Sequence, residues 1–219
     1  TYSPTVDSSV MPCVRQARQM TALKIEIDPT DVGFAPDRLA RIDRHFQGYI
    51  DQKKLAGWHV AVSRKGQLVH SSTAGHRDIA SDAPFTDDTV VRMFSMTKPI
   101  TSVAAMMLYE EGLLELKSPI SNWLPEFADT RVYRSGSFLA PVTEPQIEPI
   151  RVWHLLTHTS GLTYGFHNTH VTDAIYRRGG FEWGNPPGAT LAECCEMWAK
   201  MPLAFQPGSE WNYGVSTDV

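Results

Sequence analysis

Ser95 and Lys98 stand three residues apart in the stretch Phe94-Ser95-Met96-Thr97-Lys98-Pro99-Ile100. On a helix that spacing puts a hydroxyl and an amine on one face. The chemistry such a pair offers is nucleophilic attack. A serine hydroxyl is inert at neutral pH until a base takes its proton. A lysine amine can take it when neutral, but a pKa of about 10.4 leaves only about one in a few thousand neutral at pH 7. Lowering it by about three units takes roughly 4 kcal/mol of differential interaction, which a desolvated site can supply. A lysine depressed by burial could therefore serve as the base. S-x-x-K alone is a weak pattern, so its surroundings must carry the argument.

Those surroundings predict a helix from Ser95 to about Gly112. Met96, Ile100, Val103, Ala104, Met107 and Leu108 recur at helical spacing. Ala105 and Met106 make the helix apolar on nearly all sides, the pattern of a buried central helix. Pro99 is tolerated only near a helix start, which places Ser95 at or just before the first turn. The free N–H groups and partial positive charge there favour an anion developing at Ser95.

Around this stretch the chain reads as α+β. Pro36 to Lys54 predicts a helix with Leu39, Ile42, Phe46, Tyr49 and Ile50 on one face. Residues 58–62 and 67–70 predict a hairpin about Lys65-Gly66, followed by a polar loop from Gly75 to Asp88. Residues 131–149 and 163–188 read as long loops, the second rich in aromatics that would suit an apolar acyl group or a packed cap. A short helix in 150–162 and a helix over Leu191 to Met201 complete the pattern. His154 and His158 have a spacing that can hold zinc, but Leu155 stands where H-E-x-x-H needs its glutamate. A histidine satisfied by backbone is the better reading, and no metal is expected.

Composition bounds the function. With 219 residues and a formal charge of −4, nucleic acid and anionic membrane are not the expected partners. No apolar run nears the roughly 18 residues of a membrane span. Cys13, Cys194 and Cys195 do not form a disulfide framework, which favours reduced thiols in a cytoplasmic enzyme, although a processed signal would leave the compartment open.

Five stretches in order carry a resemblance. They are Ser95-Met96-Thr97-Lys98, Glu110-Glu111-Gly112-Leu113-Leu114, Pro119-Ile120-Ser121-Asn122-Trp123-Leu124-Pro125-Glu126-Phe127, Leu155-Leu156-Thr157-His158-Thr159-Ser160-Gly161-Leu162 and Phe205-Gln206-Pro207-Gly208-Ser209-Glu210-Trp211-Asn212-Tyr213. From about Pro36 onward the chain resembles the serine β-lactamase-like family of class C β-lactamases, penicillin-binding carboxypeptidases and related esterases. The resemblance implies an antiparallel sheet flanked by helices plus a mostly helical region, of which this chain holds the N-terminal part. It implies an irregular arm over 1–35 and the hydrolase portion over 36–219, without the later strands and third motif. Ser95 would be the acylated nucleophile, its N–H half of an oxyanion hole. Lys98 and Tyr213, the tyrosine of Y-x-N, would move protons, with no cofactor.

The motif departs from the family at Tyr213-Gly214-Val215, where valine replaces the asparagine. That favours a small-molecule ester with an apolar acyl part, hydrolysed or passed to an acceptor, over a β-lactam or D-alanyl peptide. G-x-S-x-G is absent, so an α/β-hydrolase elbow is not supported. A binding protein that kept the fold would be expected to have lost Ser95, Lys98 or Tyr213. Nothing in the sequence bears on oligomeric state.

Overall fold

The structure is a computed structural model and describes residues 23–219. Residues 1–22 of the expected irregular arm, with Cys13, lie outside the described residues. The chain divides into two compact units, the first ending at Arg92 and the second spanning Met93–Val219.

In the first unit, α1 (Pro36–Asp51) opens on a proline, whose missing N–H costs nothing in a first turn. It packs on a sheet of order β1-β2-β3, formed by Gly57–Arg64, Gln67–Asp78 and Ala83–Pro84. The Phe46 and Trp58 rings meet at 5.5 Å, and Leu39, Trp58 and Val69 are buried. The β1–β2 hairpin turns at Lys65 and Gly66, both at positive φ (54° and 78°), as a two-residue hairpin turn requires. The hairpin is longer than sequence indicated, and β2 and β3 take up much of the expected 75–88 loop. Short polar residues along β2 hid its strand character.

The second unit begins with a 3-10 turn, Phe94–Met96, that runs into α2 (Thr97–Glu110). After it come a hairpin of β4 (Arg131–Ser137) and β5 (Ala140–Pro145), then α3 (Val152–Leu156), α4 (Val171–Arg178) and α5 (Leu191–Ala199). The core gathers Ile120, Phe127, Val132, Ile150, Leu162, Tyr176, Phe181, Cys194, Cys195, Trp198, Leu203 and Val215. Helix α5 is entered through a capping box: the Thr190 hydroxyl accepts the Glu193 N–H and the Glu193 carboxylate accepts the Thr190 N–H.

Three expectations are corrected here. Residues 131–149 are mainly a hairpin and not a loop, with Leu203 joined to it through Tyr133 N–H (2.8 Å) and Arg131 O (2.8 Å). Most hairpin side chains face solvent, so no alternation of polar and apolar residues announced the strands. Residues 163–188 contain α4, whose N-terminus is held by the buried Asp173 carboxylate accepting the Thr169 and His170 N–H groups. Finally, α2 is exposed: Ile100, Val103 and Met107 are 58%, 61% and 57% accessible. Periodicity reports what a helix face favours, while burial depends on what covers it.

Candidate active site

Ser95 lies in the 3-10 turn directly before α2, as the position of Pro99 required, and is exposed. Phe94 before it has φ 48°, a left-handed conformation uncommon for a bulky residue. Lys98 is the second residue of α2 and is partly buried.

Around the Lys98 amine two other segments converge, one carrying Tyr164 and one carrying Tyr213 and Asp218. Its Nζ donates to the Tyr164 hydroxyl at 2.9 Å and lies 3.6 Å from Asp218 Oδ2. The Tyr164 hydroxyl in turn donates to Asp218 Oδ2 at 3.1 Å. Nζ also sits 5.3 Å from the centre of the Tyr213 ring and 5.6 Å from that of Tyr164, close enough for cation–π attraction. The structure thus brings together Lys98 and Tyr213, both read from sequence, with Tyr164 and Asp218, to which sequence assigned no role.

Backbone pairing explains why the Leu155–Leu162 stretch and the Phe205–Tyr213 stretch occur together. Gly161 O accepts the Ala204 N–H (2.8 Å), Thr159 O the Gly208 N–H (2.7 Å) and His158 O the Asn212 N–H (2.9 Å). Tyr213 is then held by two histidines. His158 Nδ1 accepts the Gly214 N–H at 3.3 Å, and its ring lies 4.6 Å from that of Tyr213. His167 Nε2 donates to Tyr213 O at 2.7 Å. Asn212 reaches the Thr163 hydroxyl (3.0 Å), which itself donates to the buried Asp173 (2.8 Å). Below this, the Ser160 and Ser216 hydroxyls bond at 2.8 Å in the core.

His154 and His158 do not share a site. His154 is buried, and its Nδ1 accepts the Arg151 N–H at 3.0 Å. This is the backbone-satisfied histidine that sequence favoured. No cluster of three or more potential metal ligands occurs among the described residues.

The partners of Lys98 act against the depression that burial alone would give its amine. Burial does push its pKa down, but the Tyr164 hydrogen bond and the Asp218 carboxylate outweigh it, and the amine is raised above its ordinary value. Burial raises the Tyr164 phenol despite the neighbouring ammonium. His158 moves down, through burial first and the Lys98 charge second, and is neutral at pH 7. The arrangement is an ammonium bracketed by two aromatic faces and one carboxylate.

From Tyr164 a row of rings leads outward. Phe166 stacks on Tyr164 at 4.8 Å, and Trp183 stacks on Phe166 at 6.1 Å with an interplanar angle of 6°. It offers flat apolar surface beside the amine.

A family profile described as Beta-lactamase matches residues 42–219. Among curated proteins, the chain is 34% identical to esterase EstB of Burkholderia gladioli, over 91% of this chain and 48% of that protein. It is 35% identical to acyltransferase calJ of Penicillium decumbens, over 81% of this chain and 41% of that one. Among solved structures it is similar to EstCE1, a hydrolase with promiscuous acyltransferase activity, with a TM-score of 0.68 and 29% identity over 82% of this chain and 44% of that one. The chain spans about half the length of the curated relatives it matches.

Proposed function

The chain belongs to the beta-lactamase family, and on that premise we propose that it carries the machinery of a serine hydrolase that cleaves carboxylic esters, or transfers their acyl group, through an acyl-enzyme on Ser95. The observation that supports this most directly is the convergence of Lys98, three residues beyond Ser95, on the face of Tyr213. Similarity to an esterase and an acyltransferase supports the substrate class.

In this reading Ser95 Oγ attacks the ester carbonyl, and its proton passes to the Tyr213 oxygen. A cationic Lys98 is no base, but a nearby positive charge stabilises a phenolate, so a raised amine favours tyrosine as the base. Tyr164 is a poor candidate, because its proton is committed to Asp218. Tyr213 returns the proton to the departing alcohol. Water then resolves the acyl-enzyme, or an acceptor alcohol or amine takes its place. The Ser95 N–H at the helix entry faces developing negative charge.

Val215 favours an ester over a β-lactam or peptide. It occupies the position of the family asparagine and is buried in the core, where it offers no amide to a substrate. The aromatic row beyond Tyr164 suits an apolar acyl group.

The test compares the full-length protein with its Ser95→Ala variant on a p-nitrophenyl ester series and a phosphonate ester probe. The parent should release nitrophenol and gain one covalent adduct; the variant should gain none and lose on the order of 10³-fold or more in rate. A folded parent that neither releases nitrophenol nor takes the probe would move the function to peptide-like substrates or to binding.

A further inference from the structure

We propose that Asp218 is a positioning residue of this site, directing the Lys98 amine at Tyr213 both by its own approach to the amine and through the Tyr164 hydroxyl between them. The inference rests on the reading of Ser95, Lys98 and Tyr213 as the reacting set and adds to it a fourth and a fifth group.

The geometry carries the argument. A phenol has one proton to donate and lone pairs to accept with. Because Asp218 Oδ2 takes the Tyr164 proton at 3.1 Å, the Tyr164 oxygen can only accept from Lys98, which it does at 2.9 Å. The Lys98 stem has four rotatable bonds and would otherwise sample many positions. Tethered at the phenol and drawn by the carboxylate 3.6 Å away, the amine is held over the Tyr213 ring.

The charge balance agrees. The titratable groups that face the amine are His158 from the turn after α3, Tyr164 from the start of the aromatic segment, Tyr213, and Asp218 from the 3-10 turn Val215–Asp218. His158 is neutral and burial holds the proton on Tyr164, so neither competes with the Asp218 carboxylate as the counterion of the amine. It offsets the burial that would strip the Lys98 proton. Tyr213 and Asp218 lie five residues apart on one short segment, so the packing that places the tyrosine also places the counterion.

The experiment uses full-length Asp218→Asn, Asp218→Glu and Tyr164→Phe variants. Rates on a p-nitrophenyl ester are followed from pH 6 to 10, with phosphonate labelling of Ser95 and melting temperature measured on the same samples. The expected result for Asp218→Asn is an alkaline limb of kcat/KM displaced to lower pH by about one unit, the low end for an opposite charge near a partly exposed group. Its kcat should fall about tenfold with KM within about twofold, and labelling should slow in parallel. Asp218→Glu should restore part of both, and Tyr164→Phe should lower kcat without removing the carboxylate's hold on the limb. An unmoved limb in Asp218→Asn, or activity lost only in step with melting temperature, would overturn the proposal. A parent that fails to label at Ser95 would instead overturn the acyl-enzyme reading beneath it.

Discussion

His158 shows how one side chain can serve geometry and pH response together. Its φ of 57° lies in the left-handed region, its Nδ1 accepts the Gly214 N–H, and its ring backs Tyr213. Protonation would convert Nδ1 from acceptor to donor and break that contact. The folded pKa is depressed while the unfolded chain titrates near 6.5, so between these values the unfolded state binds more protons. The contribution of His158 to stability is therefore complete above about pH 6.5 and is lost as pH falls toward the depressed value. His154, lowered by burial, adds in the same direction. Melting temperature measured from pH 8 to 5 should drop below about pH 6.5, and the drop should be shallower in His158→Asn. Asparagine tolerates the left-handed backbone and does not titrate there. An equal drop in parent and variant would remove His158 from the account.

At this scale Ser95 and Lys98 were singled out by their three-residue spacing, and Tyr213 only through the family resemblance, at a Y-x-N position that here reads Tyr213-Gly214-Val215. Tyr164 and Asp218 were not assigned. Their meaning lies in a 3.1 Å contact between residues 54 positions apart, and no spacing rule reports such a contact. Sequence likewise gave no sight of the Tyr164 hydroxyl and the Asp218 carboxylate, which act against the effect of burial on Lys98.

Between elements, the site depends on one close crossing. Gly214 has extended backbone, and a Cβ there would meet Leu162 O at 2.4 Å and Thr163 Cα at 2.8 Å. Neither can swing aside as the end of a side chain would, since both are backbone atoms. Gly214→Ala should displace that segment and lower kcat by about 10²-fold, the scale of an ångström-sized misplacement. The fold should persist, with about 1–3 kcal/mol lost to overpacking. Activity and thermal unfolding measured together check this; unchanged kcat would show that the segment absorbs the shift. Elements with strong periodicity, such as α1 and α5, were legible within three residues at their C-terminal ends. The β4–β5 hairpin was not. Its strands are mostly exposed on both faces, so the two-residue alternation that marks a half-buried sheet never formed.

Across the molecule, the second unit stands on a core centred on Trp198, which is fully buried and whose ring lies 5.4 Å from that of Phe181. Trp198→Ala should cost about 3–5 kcal/mol and lower the melting temperature by roughly 10 °C. Trp183→Ala, at a position 83% exposed, should change it little. Similar losses in both variants would mean that the core is not organised around α5. The α+β class and family membership were legible from ordered motifs, while the exposure of α2 was not, because an apolar pattern carries no record of its cover.

The thiols of α5 have a consequence of another kind. Cys194 and Cys195 are both buried, and burial raises both pKa values, that of Cys195 to about 11. Thiolate is the form that reacts with disulfides, peroxides and alkylating reagents, and at neutral pH neither cysteine supplies it in quantity. Once folded, the helix at the centre of the second unit therefore presents little thiolate to oxidants or disulfides.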